Sequence, residues 1–173
     1  MNKYIILLSV ALVAQLLLAA VINLTGEDYG AFKAEALLLT FDQQTVDGIR
    51  IENGTDSVVL HRQKGQWILP EQGGLPVNSR RVEQLLDSLA GVKRGWPVAK
   101  TTSSARRFNV AENQFGKKLT LLSGEHIVAT LFVGSSPGFR KVYVRQEHED
   151  DVFSVAFDTW AAAVKTDDWV DKD

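Results

Sequence analysis

The sequence predicts an α+β protein, with an N-terminal transmembrane helix followed by one antiparallel β-sheet domain with a core-covering helix. Three observations lead to this prediction. The first two dozen residues are almost entirely apolar, and later short stretches alternate apolar and polar residues as strands do. One internal stretch repeats its apolar residues at helical spacing. Strands on both sides of that helix favour antiparallel pairing around a single core.

The N-terminal stretch over residues 4–22 is apolar except for Ser9 and Gln15. As a helix it measures roughly 28 Å, close to the thickness of the hydrocarbon core of a bilayer. A cleaved signal peptide is the alternative, but its apolar core is usually shorter, at about 7–15 residues. We therefore predict a cytoplasmic N-terminus over 1–3, a transmembrane helix over 4–22, a linker over 23–36 and an extracytoplasmic domain over 37–173.

The flanking charges predict an orientation for this helix. Lys3 precedes it, whereas Glu27 and Asp28 follow it, and positive charge tends to stay in the cytoplasm. The predicted location is the bacterial inner membrane, with a single pass and with the C-terminal domain in the periplasm or outside the cell. The chain has no cysteine, so a lipid-modified cysteine is excluded.

A second helix could pack against the N-terminal helix. Ala11, Gln15 and Ala19 recur one turn apart on one face, and small residues beside a polar one allow close approach and an interhelical hydrogen bond. The alternative is that Gln15 simply faces lipid at modest cost. The first interpretation makes these three residues a possible helix–helix contact.

The first predicted strands lie just after the linker. Residues 37–41 open the β-rich region, and Ile49 and Ile51 alternate with polar residues. Asn53-Gly54 is typical of a tight turn, which makes residues 57–62 the partner strand. A further short strand is predicted over residues 66–69.

The core-covering helix has the clearest pattern in the domain. Asn78 or Ser79 can cap its start, and Gly91 marks its end. The apolar residues that recur at helical spacing between them are Val82, Leu85, Leu86 and Leu89.

The second group of strands follows a region, around residues 96–113, that the pattern does not assign. Strands are predicted around Leu119 and Leu121, over 127–133, over 142–145 and over 152–155, with polar turns between them. Ile127, Ala129, Leu131 and Val133 are predicted to share one face. A short closing helix is predicted over residues 157–164.

The order of these features resembles an uncharacterised bacterial family, domain of unknown function 4340. The segments that carry the resemblance are Leu39-Thr40-Phe41-Asp42, His61-Arg62-Gln63-Lys64-Gly65-Gln66-Trp67, Pro76-Val77-Asn78 leading into Val82-Glu83-Gln84-Leu85-Leu86, Val133-Gly134-Ser135-Ser136-Pro137-Gly138 followed by Val142-Tyr143-Val144-Arg145, and Asp168-Trp169-Val170-Asp171-Lys172. The resemblance implies a membrane-anchored protein, of a kind that sometimes accompanies ABC exporters of the gliding-motility type. It implies no catalytic residues.

Catalytic and metal-binding patterns are weak. Residues 134–138 fit G-x-S-x-G, but that nucleophile pattern requires a following helix, whereas a strand is predicted here. His61, His126 and His148 lack the i, i+4 partner of a helical metal site. Acidic residues surround His148, yet their spacing does not match a calcium loop. We therefore predict no catalytic, cofactor or metal site.

Charge is segregated along the chain. Residues 80–118 carry nine basic and three acidic side chains, whereas residues 147–173 carry nine acidic and two basic ones. The two regions could neutralise each other or simply be solvated, which is the favoured interpretation, or the basic region could bind an anionic lipid surface or an acidic partner. The formal net charge of −2 argues against nucleic-acid binding. The residues of the possible basic interaction face are Arg80, Arg81, Lys93, Arg94, Arg106 and Arg107.

These observations predict a non-catalytic, membrane-tethered periplasmic interaction module, accessory to an ABC-type exporter or another envelope complex. Its expected partners are the lipid bilayer, through the N-terminal helix, and a membrane protein. The alternative is an extracytoplasmic ligand-binding domain or enzyme without a recognisable motif. Trp96 and Trp169 are candidate interface anchors, but a half-buried core role is the favoured interpretation for each of them.

Overall fold

The chain contains two compact units, divided after Lys33. A computed structural model describes residues 3–24 and 36–170. The first unit contains helix α1 (Lys3–Leu24), whose side chains from Lys3 to Leu17 are exposed. Most of the predicted linker, residues 25–35, lies outside the described residues.

The predicted transmembrane helix over residues 4–22 is not borne out. A single crossing needs about 20 consecutive apolar residues in one helix. Within residues 3–24 and 36–170, no helix combines the necessary length and apolar character. The transmembrane part of the predicted fold class and the single-pass inner-membrane localisation are therefore wrong on this finding.

The second unit is built on an eight-stranded sheet in which every pair of neighbouring strands is antiparallel. Its strands are β1 (Gly48–Glu52), β2 (Ser57–Gln63), β3 (Gln66–Leu69), β4 (Leu75–Pro76), β7 (Lys117–Ser123), β8 (His126–Val133), β9 (Lys141–Gln146) and β10 (Val152–Ala156). Their spatial order is β10-β9-β8-β7-β1-β2-β3-β4. Two four-stranded meanders are thus joined side by side through β1 and β7.

One face of this sheet is covered by helix α2 (Ser79–Ala90), as the sequence predicts. The Asn78 side chain caps the helix by accepting a hydrogen bond from the Arg81 N–H. The buried residues Val82, Leu85, Leu86 and Leu89 join the inward-facing residues of both meanders in one core cluster. Buried residues alternate with more exposed ones along β2 and β3, which explains why the periodicity of the sequence located these strands.

The long connection from α2 to β7 occupies the other face of the sheet. It contains helix α3 (Thr102–Arg107) and the two-stranded ribbon of β5 (Val110–Ala111) and β6 (Gln114–Phe115). On its way it passes the edge of the sheet, where Ala99 bridges to Val152. The connection therefore wraps around β10 from one face of the sheet to the other, and we call residues 92–116 the wrapped connection.

Two local predictions are wrong. The register of β7 and β8 shifts between Leu121 and Leu122, so that Ile127 pairs with Leu122 and is 61% exposed. This bulge moves Ile127 off the face shared by Leu131 and Val133. The predicted closing helix over residues 157–164 is instead a series of turns, followed by a short 3₁₀ helix (Thr166–Asp168).

A buried guanidinium joins the wrapped connection to the sheet. Arg145 of β9 is only 6% exposed, and its Nε donates to the carbonyl of Val110 at 2.7 Å. Its Nη1 donates to the carbonyl of Gln146 (3.2 Å), at the end of β9, and to that of Glu149 (2.8 Å), in the turn before β10. The guanidinium also lies 4.7 Å from the centre of the Phe132 ring. One side chain thus connects β5, β8, β9 and the β9–β10 turn.

We predict that replacing Arg145 with Met lowers the free energy of unfolding by about 3 kcal/mol, because it leaves buried carbonyls without donors. Urea denaturation monitored by circular dichroism measures this change. Arg106→Met is the matched control, since Arg106 is exposed on α3, and it should cost less than about 0.5 kcal/mol. Equal midpoints for the two variants would contradict the role given to Arg145.

Candidate functional site

Trp160 is a strongly exposed aromatic residue of the second unit, and it lines a cleft. Its side chain is 84% exposed, although tryptophan is usually well buried. It lies in the turn after β10, where the sequence predicted a closing helix. A large apolar ring kept in solvent by a folded turn is typical of a binding surface.

Hydrogen bonds hold this turn in place. The Trp160 N–H donates to Asp158 Oδ1 at 2.9 Å, and the Ala161 N–H donates to the Asp158 carbonyl at 3.2 Å. Beneath the turn, Lys117 Nζ donates to the carbonyls of Thr159 and Ala162, each at 2.6 Å. These two carbonyls lie on either side of Trp160 in the chain, so the lysine supports the backbone that presents the ring.

The environment of Lys117 changes its acidity. Burial lowers the pKa of the Lys117 ammonium below its usual value, while the nearby charges of Asp158 and Asp168 act in the opposite direction. A partly desolvated cation that donates to two carbonyls is a structural support rather than a solvated surface charge.

Two open clefts adjoin the Trp160 ring. The larger, of about 850 Å³, lies between the end of α2 and the ends of β9 and β10, and it includes Asp87, Arg140 and Lys141. The smaller, of about 460 Å³, lies beside the start of α2 and includes Arg80 and Arg81. Asp158 and Trp160 line both clefts. We call this surface, with its two clefts, the Trp160 surface.

The loop between β8 and β9 forms another wall of the larger cleft. Its tip carries Phe139, which is 99% exposed, next to Arg140. Both residues adopt left-handed backbone conformations, with φ of 54° and 57°. Such conformations are uncommon for residues with side chains and are found often at binding sites. A second exposed aromatic residue is therefore held on a strained loop that borders the larger cleft.

The G-x-S-x-G segment in this loop has a structural role. The Ser136 hydroxyl donates to the Lys141 carbonyl at 2.6 Å and accepts from the Gly138 N–H at 3.1 Å. A strand follows the segment, whereas a nucleophile elbow leads into a helix. The hydroxyl of Ser136 thus closes the loop on itself.

Gly134 is required for close packing. A Cβ atom at this position would lie 2.0 Å from the Phe108 carbonyl oxygen and 2.8 Å from that of Asn109. The Ser135 N–H donates to the same Phe108 carbonyl at 3.0 Å. The loop therefore approaches the wrapped connection backbone to backbone, and only glycine allows this distance.

The residues of the possible basic face lie in three places. Arg80 and Arg81 are at the start of α2, Lys93 and Arg94 follow its end, and Arg106 and Arg107 are on α3. The first two pairs are separated by the length of α2, roughly 18 Å. Only the first pair lines a cleft at the Trp160 surface.

Several of these arginines also contact aromatic rings. Arg81 lies 5.3 Å from the centre of the Trp169 ring, and Arg94 lies 5.6 Å from that of Phe153. Such cation–π contacts give the two side chains a packing role. Binding of an anionic partner by the basic face stays a prediction.

The other sequence-predicted residues lie elsewhere. Ala11 and Gln15 are exposed on α1, whereas the side chain of Ala19 lies outside the described residues, so their helix–helix contact stays a prediction. Trp169 is fully buried and Trp96 is 68% exposed. Among the residues that the structure describes, no group of three or more histidine or acidic side chains could hold a metal ion.

The loops and turns just described fall in the part of the chain that a family model matches. The match covers residues 67–173, more than half of the chain, and the family is described as Domain of unknown function (DUF4340). The chain belongs to the DUF4340 family. No curated protein and no solved structure matches it. The DUF4340 match includes α2, the wrapped connection and all of the Trp160 surface.

Sequence reasoning missed both Trp160 and Lys117. Alternation and helical spacing identify residues that face the core, and neither residue belongs to such a pattern. The order Asp158-Thr159-Trp160 does contain a usable indication, because an aspartate often accepts from the backbone N–H two residues later in a turn. That turn chemistry, rather than apolar spacing, argues against a helix here.

We predict that the free energy of unfolding depends on pH through Lys117. Because its pKa is lowered in the folded chain, the unfolded chain binds more protons as the pH approaches the ordinary value of 10.5. The contribution of this group to stability therefore rises with pH in that window. The difference in unfolding free energy between wild type and Lys117→Met, measured by urea denaturation, should grow from about pH 8 to about pH 10.5. A difference that stays constant or falls would contradict the lowered pKa.

We further predict that Gly134→Ala lowers the free energy of unfolding by about 2–3 kcal/mol, because the added methyl group overlaps the Phe108 carbonyl. Thermal and urea unfolding measure the loss. Gly91→Ala is the control, because Gly91 has an ordinary right-handed conformation, and it should change stability by less than about 1 kcal/mol. A fully stable Gly134→Ala variant would show that the two backbones can move apart without cost.

Proposed function

We propose that this DUF4340 chain is a non-catalytic protein-interaction module that binds its partner through the Trp160 surface. The observation that carries the proposal is Trp160 itself, an exposed ring on a turn that Lys117 and Asp158 hold rigid. Rigid aromatic anchors give affinity because little side-chain entropy is lost on binding.

The composition of the surface supports this function. Tryptophan and arginine are the residues most enriched at energetically dominant positions of protein interfaces. Here Trp160 lies between a cleft with Arg80 and Arg81 and a cleft with Arg140. Phe139 adds a second exposed aromatic residue at the border of the larger cleft. A partner could therefore place apolar groups beside the rings and acidic groups at the rim.

The partner that the family resemblance suggests is an ABC-type exporter, with this chain as an accessory subunit. That association stays a prediction. The proposal about the Trp160 surface does not depend on it, because the same rings and clefts could serve any multi-protein assembly.

A ligand-binding domain is the second candidate function. The larger cleft, at about 850 Å³, falls within the range of about 300–1,000 Å³ that is typical of small-molecule sites. Asp87, Arg140 and Asp158 supply polar groups within it. The cleft is open along one side, which favours a protein partner over an enclosed small molecule. Native mass spectrometry of the purified full chain, searched for a retained small molecule, tests this alternative.

We predict that Trp160→Ala weakens partner binding by at least about tenfold in affinity, while leaving stability nearly unchanged. Affinity purification of the tagged full chain, with quantitative mass spectrometry, compares the wild type with this variant. Ile127→Ala is the matched control, because Ile127 is another exposed apolar side chain and does not line either cleft. A partner retained equally by all three proteins would contradict the proposed surface.

A further inference from the structure

Strand β10 forms one edge of the large sheet, and the wrapped connection covers only its first residue. The Val98 N–H donates to the Val152 carbonyl at 2.7 Å, and the Val152 N–H donates to the Ala99 carbonyl at 2.8 Å. Backbone groups alternate in direction along a strand, so those of Ser154 and Ala156 point to the same side as those of Val152. Within residues 36–170, no strand or bridge pairs with them on that side.

Pro97 explains where this cover ends. A proline has no N–H to donate, so the ladder that Val98 and Ala99 begin cannot continue past it. The β9–β10 register stays regular through Ala156, so the sheet itself is not distorted at this edge.

The open part of β10 lacks the usual protection of a sheet edge. Residues 152–156 contain no charged residue and no proline, and the β9–β10 register is regular. At the opposite edge, by contrast, β4 is only two residues long and ends in Pro76. Proteins normally protect edge strands with charges, prolines, bulges or short length, because open edges attract other strands. The difference between the two edges indicates that the β10 edge is kept open for pairing.

The open edge leads directly into the Trp160 surface. Ala156 lines the larger cleft together with Trp160. The same cleft is lined by Arg140 and by Lys141, the residue of β9 that pairs with Ala156. Asp87 and Asp158 also line this cleft, and the Asp158 carboxylate accepts from the Trp160 N–H. A strand laid along β10 would therefore bring one of its side chains to the ring and another to the two basic groups.

We infer that β10 accepts an extended strand from a partner protein, paired with Ser154 and Ala156. The chemistry of the edge specifies the partner: a proline-free extended segment with one bulky apolar side chain for the Trp160 ring and an acidic side chain for Arg140 and Lys141. Main-chain hydrogen bonds supply affinity in this mode, and the cleft supplies specificity. The inference rests on the proposed interaction function and names how the partner binds.

The first test uses peptides as probes. A phage-displayed library of random ten-residue peptides is selected on the immobilised full chain, and the dissociation constants of the selected peptides are measured by fluorescence anisotropy. Each peptide amide is then methylated in turn. Strand addition predicts at least about tenfold weaker binding at every second position and little change between them, because alternate amides point away from β10. Uniform or non-alternating losses would overturn the inference.

The second test changes the protein. Ser154→Pro removes the outward N–H and should weaken peptide binding by at least about tenfold, whereas Ser154→Ala removes only the hydroxyl and should leave binding within about twofold. Circular dichroism verifies that each variant is folded. The methylation series needs only the wild-type protein, so it decides the question even if the proline variant does not fold. A library without any binder that depends on Ser154 overturns strand addition.

The outcomes also separate this inference from the proposed function. If Trp160→Ala abolishes binding while a folded Ser154→Pro variant retains it, the Trp160 surface is correct and strand addition is wrong. If neither change affects binding, both fail. Sedimentation velocity completes the set: a dimer of the full chain that Ser154→Pro dissociates would make a second copy, and not another protein, the occupant of the edge.

Discussion

The buried guanidinium of Arg145 is the interaction on which the arrangement of the second unit depends. A charged group inside a protein is costly unless it is well hydrogen-bonded, and here Nε and Nη1 donate to carbonyls of the wrapped connection, of the end of β9 and of the β9–β10 turn. Residues of the connection pack with Phe132 and Val152 in a small cluster on the outer face of the sheet. The guanidinium adds hydrogen bonds to the ring contacts Phe115–Phe132 and Phe108–Tyr143, which join the same two layers. Arg145 therefore helps to fix the small outer layer to the sheet.

The Trp160 surface is likewise supported by residues that are distant in the chain. Lys117, at the start of β7, reaches two carbonyls of a turn more than forty residues later in the chain. Gly134, at the end of β8, allows the neighbouring loop to lie against the wrapped connection. The exposed rings of Trp160 and Phe139 are thus carried by turns that central strands of the sheet support. A surface built in this way can be apolar and still keep a defined shape. A defined shape distinguishes a specific binding surface from one that associates non-specifically.

The sequence predicted most of the sheet and of α2, because half-buried strands and an amphipathic helix leave a period in the chain. It failed where no period exists. The bulge at Leu121 and Leu122 shifts the register by one residue, which periodicity alone cannot anticipate. The run of alanines after Trp160 favoured a helix by propensity, yet hydrogen bonds from Lys117 to distant carbonyls favour turns. The site consists largely of such non-local contacts, so its residues carried no local pattern.

The wrapped connection has a consequence for the order in which the chain can fold. Val98 and Ala99 leave the ribosome some fifty residues before Val152, the residue with which they pair. Val110 is likewise synthesised before Arg145, whose Nε donates to its carbonyl. During synthesis the first meander and α2 can associate early, whereas the connection gains its contacts with Arg145 and Val152 only after the last two strands have formed. Long loops of this kind slow folding, since their closure entropy is lost before the contacts are gained. The contacts that complete the outer layer therefore form only with the last two strands, and a chain truncated before them would lack these contacts.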